Sequence, residues 1–310
     1  MIKNIVKIPL IVVVGPTASG KTALAIEIAK RYNGEIISAD SMQIYKGFPI
    51  ASAAPNNEEK KSAVHHLVEF LDPADKFSVA DYVNLAGKKI TEVINKGKLP
   101  IIAGGTGLYI NSLIDGIKFS DQKADINLRK AINDEFDRLG AEAMLKKLYE
   151  IDKETAEKLS AGDKRRIVRA FEVYRSTGIT VSEQNRLSRE QESPYDPLII
   201  GITFEDRQKL YERINTRVDI MLENGLLEEA KGSSQKGITA AQAIGHKEFI
   251  PYFNGEVSLN DAIENLKRET RRYAKRQLTW FRRDERINWI YADKQDVKES
   301  AFKIIEERMK

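Results

Sequence analysis

The sequence predicts an α/β protein: a doubly wound parallel sheet with an inserted all-helical domain. Three observations predict it. Five short apolar runs alternate with helical periodicity, the pattern that builds a parallel sheet. The first run leads directly into a glycine-rich turn and an amphipathic helix. From about 121 to 195, helical repeats follow one another with no convincing strand between them. The expected division is therefore a core of 1–120 and 196–310 around a helical insertion of 121–195.

The first strand is Leu10–Val14, and Ala23–Lys30 is the helix beyond the turn. Between them, Gly15-Pro16-Thr17-Ala18-Ser19-Gly20-Lys21-Thr22 fits the phosphate-loop pattern G-x-x-x-x-G-K-[ST] in its required strand–turn–helix context. The core is thus expected to be P-loop NTPase-like. Gly15 and Gly20 let the backbone curl so that its N–H groups face an anion. The helix adds its positive end there. Lys21 supplies a cation for the outer phosphate, and the Thr22 hydroxyl suits Mg²⁺. Such a loop binds a di- or triphosphate without saying what happens to it.

A second buried strand, Glu35–Ala39, ends in Asp40-Ser41-Met42-Gln43, polar groups at the carboxyl end of a strand where α/β sheets bind ligands. The stretch through Pro55 reads as loop, and 58–61 as a solvated charge run. Ser78 caps a helix over Val79–Asn95 that Gly97 ends. Leu99–Ala103 is the third strand, and Gly104-Gly105-Thr106-Gly107 turns into a helix over Tyr109–Ile114, with Thr106 pointing into the shared crevice. The insertion carries helices over Ile126–Leu139, Ala141–Ile151, Lys153–Leu159 and Asp163–Ser176, then a return linker at 193–197. Lys164, Arg165, Arg166 and Arg169 oppose Ile167, Ala170, Phe171 and Tyr174 on the last of these helices, a face that is either solvated surface or a phosphate contact. The fourth strand is Leu198–Ile202. The helix over Asp206–Leu222 puts Arg213 and Arg217 on one side. A short helical piece over Ala243–Glu248, a long helix over Ser258–Arg283, a fifth strand, Ile287–Tyr291, and an amphipathic helix complete the chain.

Composition narrows the chemistry. Cysteine is absent and only His65, His66 and His246 are histidines, which excludes disulfides, thiolate zinc sites and a cysteine nucleophile. With no apolar run of membrane length and no signal-peptide pattern, a cytoplasmic protein without a membrane partner is expected. Nothing suggests more than a monomer. The net charge is only +4, but Lys267–Arg286 holds nine Lys/Arg against three acids, so a polyanion is expected there. Arg268, Arg272, Lys275, Arg276 and Arg283 lie near one face of the long helix, interleaved with Tyr273, Trp280 and Phe281: cations for a backbone and rings for stacked bases. Three readings fit the constellation. They are a small-molecule P-loop kinase with a helical lid, a transferase whose leaving group is pyrophosphate, and a nucleotide-gated RNA-binding module. The basic helix favours an RNA partner over a kinase of small metabolites.

The chain resembles the bacterial tRNA dimethylallyltransferases over nearly its whole length. The resemblance rests on GPTASGKT at 15–22, ISADSMQIY at 37–45, HHL at 65–67, FSVADY at 77–82, GGTGLY at 104–109, RRIVRAFEVY at 165–174, AIGHKE at 243–248 and KRQLTWFRRD at 275–284. It implies transfer of a dimethylallyl group from dimethylallyl diphosphate to N6 of the adenosine 3′ to certain anticodons. By the same resemblance, the loop with Lys21 and Thr22 holds the diphosphate with Mg²⁺, Arg217 stabilises its charge, and Asp40 is the general base. Ser41, Met42 and Gln43 hold the flipped-out adenosine, and Thr17 and Thr106 line the channel. Arg129, Lys164, Arg165, Arg166, Ile167, Val168, Ala243, Ile244, Gly245, His246, Lys247 and Glu248 touch the anticodon arm, with Arg272 and Arg276 from the basic helix, and the insertion acts as a clamp. Two departures bear on tRNA affinity or selectivity: Ala51–Pro55 stands where Gly-Thr-Ala-Lys-Pro is usual, and His246 where Tyr is common.

Overall fold

The computed structural model describes residues 7–117, 119, 125–189, 192–234 and 244–309. The chain divides into two compact units, Met1–Ile114 with Pro194–Lys310, and Asp115–Ser193. The helical unit thus begins at 115 rather than 121 and ends at 193 rather than 195.

The strands are β1 (Ile8–Val14), β2 (Gly34–Ser38), β3 (His65–His66), β4 (Leu99–Gly104), β5 (Tyr195–Thr203) and β6 (Ile287–Tyr291). The helices of the first unit are α1 (Lys21–Arg31), α2 (Pro49–Ser52), α3 (Asn57–Ser62), α4 (Val79–Asn95) and α5 (Gly107–Ile114). The second unit carries α6 (Ile126–Leu139), α7 (Ala141–Ile151), α8 (Lys153–Ala156), α9 (Lys164–Thr177) and α10 (Val181–Arg189). The first unit resumes with α11 (Arg207–Glu223), α12 (Leu226–Ser234), α13 (Ile250–Phe253), α14 (Leu259–Phe281) and α15 (Val297–Met309).

Among the described residues the strands form one parallel sheet in the order β3-β2-β4-β1-β5-β6. Strand side chains alternate between faces, and β1 is apolar on both, as a strand covered by helices on each side must be. Leu10, Val12 and Val14 pack with Tyr82, Ala86 and Ile90 of α4 and with Ile110 and Leu113 of α5. Ile11 and Val13 pack on the other face with Leu24, Ile28, Phe302 and Ile305 from α1 and α15. Each fully buried Leu or Ile contributes roughly 2 kcal/mol of transfer free energy, so the centre of this sheet is the rigid part of the unit. The strand order reverses beside β1, and the loops leaving β1, β2 and β4 at their carboxyl ends meet there.

Three readings of the sequence are corrected. Among the described residues there are six strands, not five, because His65 and His66 pair with Ile36 and Ile37. Two polar residues carry no apolar alternation, so the pairing has no local signal. The 195–197 segment is strand rather than linker, with Pro197 opposite Leu10. β6 pairs only with Ile199–Thr203, which leaves the outer side of Pro197 as an edge where a missing N–H breaks no ladder bond. The stretch through Pro55 read as loop contains α2, and the charge run at 58–61 lies on α3, which an Asn56–Glu59 capping box opens.

The helical unit packs Ile132, Phe136, Met144, Leu148, Ile167, Val168 and Phe171 into its own core. Asp152 caps α8 through the Thr155 amide at 3.1 Å and accepts the Ser182 amide of α10 at 3.0 Å. The Lys153 helix ends at Ala156 rather than Leu159. No helix among the described residues is long and apolar enough to cross a membrane.

Candidate active site

The turn after β1 is built as an anion cradle. Gly15 (φ 148), Ala18 (φ 63) and Gly20 (φ 97) carry the positive φ values that fold its N–H groups inward. A Cβ on Gly15 would lie 2.4 Å from the Ile202 carbonyl oxygen of β5, so only glycine fits against the neighbouring strand. Lys21 donates from Nζ to the Pro16 carbonyl at 2.7 Å. Desolvation lowers the Lys21 pKa from 10.5 to about 7; the Arg217 charge pushes it the same way and Asp40 opposes. Arg217 is itself held below its usual value, chiefly by burial. Two buried cations beside one carboxylate make a site suited to an anion.

Asp40 sits at the exit of β2, on an Asx turn. Its Oδ1 accepts the Met42 amide at 2.9 Å and the Gln43 amide at 3.4 Å. Thr106, from the turn after β4, accepts the Ser41 amide at 3.0 Å on Oγ1 and donates to the Ser41 hydroxyl at 3.4 Å. The Asp40 turn is therefore braced from the second glycine turn. Gln43 is already committed within the protein: its Oε1 accepts from the Ser38 hydroxyl at 2.8 Å and its Nε2 donates to the Ala53 carbonyl at 2.9 Å. Its amide steadies the 51–55 segment.

Thr17, Lys21, Thr22, Asp40, Arg217 and Tyr273 all line one cavity of about 280 Å³. Lys21, Thr22 and Arg217 also face a wider opening, of about 790 Å³, on the α11 side. Arg213 is directed to the same place, donating from Nε to the Ala18 carbonyl at 3.0 Å. Oxygen ligands from Thr22 and the phosphates of a substrate suit Mg²⁺, which favours hard donors and keeps several waters. The described residues hold no cluster of three or more His, Cys, Asp or Glu that could hold a metal ion.

α14 closes the cavity. Its buried stripe, Leu266, Ala274, Gln277, Leu278 and Phe281, faces the core, while Arg272, Lys275 and Arg276 are exposed. The aromatic residues separate: Phe281 belongs to the core, Trp280 is 39% exposed, and Tyr273 lines the cavity. Burial pushes the Tyr273 hydroxyl well above its usual pKa, Asp40 adds to this, and hydrogen bonds with Thr106 and Gln277 work against it. Arg272 pairs with Glu269 at 2.6 Å, and Arg276 lies 5.7 Å from the Tyr273 ring centroid, in cation–π range.

Gln277 is a functional candidate that sequence reasoning missed. It accepts the Thr17 amide at 2.8 Å and donates to the Gly105 carbonyl at 3.0 Å, joining both glycine turns. The available signal was its place in the 3–4 spaced apolar stripe, where a lone amide must find partners.

In the helical unit, Arg129, Lys164, Arg165 and Arg166 surround a basic hollow of about 670 Å³. Lys164 is paired with Asp137, and Arg166 with Asp163 at 3.3 Å. Ile167 and Val168 are largely core, at 0% and 3% exposure, and Val168 also lines the floor of this hollow. The 243–248 segment is also partly buried. Ala243 lies outside the described residues. Gly245, His246 and Glu248 are buried, and His246 meets Glu229 at 3.0 Å and the Phe48 ring edge-on. Glu248, its carboxyl pKa raised by burial, accepts the Gly245 amide at 2.8 Å. Ile244 reaches the cavity and Lys247 is exposed.

Comparison with known proteins joins these features. The tRNA dimethylallyltransferase of Acetivibrio thermocellus is 51% identical over 298 residues, covering 95% of each chain. That of Bacillus subtilis is 46% identical over 290 residues, covering 93% of this chain and 92% of its own. The crystal structure of a full-length tRNA isopentenylpyrophosphate transferase from Bacillus halodurans superposes with a TM-score of 0.70 at 42% identity, covering 97% of this chain and 94% of its own. A eukaryotic dimethylallyltransferase seen in crystallographic snapshots acting on tRNA gives a TM-score of 0.80 at 29% identity, over 96% of this chain and 78% of its own. The family profile described as IPP transferase matches residues 43–284. With the sheet, the phosphate loop and the relatives in agreement, the chain belongs to the IPP transferase family.

Proposed function

We propose that this protein transfers a dimethylallyl group from dimethylallyl diphosphate to N6 of the adenosine 3′ to the anticodon of certain tRNAs, releasing diphosphate. The observation that carries the reading is that Asp40 shares one cavity with Lys21, Thr22 and Arg217: a carboxylate facing an anion cradle.

In the step, the N6 lone pair attacks the allylic carbon, and the bond from that carbon to the diphosphate oxygen breaks with its electron pair. The N6 proton passes to Asp40. The departing oxygens are met by the loop N–H groups, the start of α1, Lys21 and Arg217. A bound diphosphate favours the charged form of Lys21. Thr106 keeps Asp40 aligned through Ser41. Mg²⁺, held by Thr22 and the phosphates, supplies further neutralisation of the leaving group when bound. Arg129, Lys164, Arg165, Arg166, Lys247, Arg272 and Arg276 take the tRNA, chiefly through its phosphates. A monomer acting in the cytoplasm is sufficient for this chemistry.

The test is to incubate unmodified tRNA and Mg²⁺ with either dimethylallyl diphosphate or labelled ATP, then to weigh the RNA by mass spectrometry. A dimethylallyl increment on the adenosine after the anticodon is expected. Label moved from ATP to a small acceptor, with no increment, would establish a kinase instead.

A further inference from the structure

We propose that Gln277 is a positioning residue for the transfer step, fixing the phosphate loop and the second glycine turn in register. For its kinetic consequence this rests on the transferase reading. Gln277 is 6% exposed. It holds the Thr17 amide at 2.8 Å and the Gly105 carbonyl at 3.0 Å, a donor and an acceptor satisfied at once by one uncharged amide. The contact is close: a Cβ on Gly105 would lie 2.1 Å from Gln277 Nε2. Thr17 belongs to the anion cradle after β1. Gly105 immediately precedes Thr106, which braces the Asp40 turn. One side chain of α14 therefore sets the separation between the groups that hold the diphosphate and the group that takes the proton. Misplacing reacting groups by about 1 Å costs about 100-fold in rate.

The test uses Gln277→Glu and Gln277→Leu in the full-length protein. A carboxylate still accepts from Thr17 but presents no proton to Gly105, whereas a protonated carboxyl restores both bonds. Relative to wild type, kcat for Gln277→Glu is expected to fall about tenfold or more near pH 8 and to recover through a single titration towards about pH 5.5. Gln277→Leu should stay low across that range with no added titration, and both variants should bind tRNA within about threefold of wild type. Binding of inorganic diphosphate, measured by calorimetry, should follow the same pH pattern without any reaction. A flat pH ratio for Gln277→Glu, or wild-type turnover for Gln277→Leu, overturns the inference. A wild-type protein that modifies no tRNA, while diphosphate binding still follows the pattern, removes the transferase reading and leaves the positioning role standing. Diphosphate binding unchanged in both variants overturns it on either reading.

Discussion

Arg213 donates from Nε to the Ala18 carbonyl at 3.0 Å, and this bond pins α11, the helix that carries Arg217, to the phosphate loop. Ala18 adopts φ 63, a left-handed conformation that a non-glycine residue keeps only when its surroundings enforce it. The two arginines thus divide the work, one shaping the loop and one placing charge in the cavity. Arg217→Ala is expected to lower kcat by about 100- to 1,000-fold with tRNA affinity unchanged. Arg213→Ala should instead raise KM for dimethylallyl diphosphate by about tenfold with a smaller loss in kcat. Steady-state kinetics on both variants checks this; identical profiles would mean that Arg217 also acts only on loop shape.

Asp40 is best tested with asparagine, because Oδ1 supports the Met42 amide at 2.9 Å and alanine would release that turn. Asp40→Asn keeps the acceptor and removes the base. Turnover should fall by about 100- to 10,000-fold while diphosphate binding stays within about threefold. Turnover near that of wild type would remove Asp40 from proton transfer.

Glu35 predicts how the fold responds to acid. Burial alone would raise its carboxyl, but hydrogen bonds from Lys98, His66 and Lys96 outweigh it and bring the pKa to about 2, from 4.5. A depressed carboxyl stabilises the folded state fully above the unfolded value and loses that contribution as pH falls from about 4.5 to about 2. The shift corresponds to something on the order of 3 kcal/mol. Glu35→Gln should therefore be less stable than wild type at neutral pH, with the gap closing near pH 2 to 3, as read from urea midpoints. A gap independent of pH would show that packing, not charge, sets the effect.

The exposed face of α14 predicts a salt dependence. Each phosphate contact to a single-stranded region contributes about 0.7 to the slope of log K against log salt. Neutralising Arg272 and Arg276 should flatten the slope for tRNA, with less of the change from Arg272 because Glu269 already holds it at 2.6 Å. An unchanged slope would return both residues to solvated surface.

What was legible in the sequence was what is local. The phosphate loop and the Ser78 cap are each encoded within a few residues, and both form as the spacing predicts. What was hidden depends on partners far along the chain. His246 gives no local sign of the Glu229 and Phe48 side chains that meet it. Gln277 reads as one polar residue in a basic helix until its partner proves to be Thr17, 260 positions away. Ile167 and Val168 share a motif with Arg165 and Arg166, but helical geometry turns them into the core.

The docking of α14 on the second glycine turn has a consequence for how this site can change. A Cβ on Gly107 would lie 2.2 Å from the Trp280 ring, as one on Gly105 would collide with Gln277. Neither turn nor helix can accept a larger residue unless the other gives way, so substitutions at 105 with 277, and at 107 with 280, are expected to be strongly epistatic. A library that varies one partner at a time would report all four positions as intolerant. One that varies them in pairs would find the alternative solutions, because what is constrained is the fit between the two surfaces.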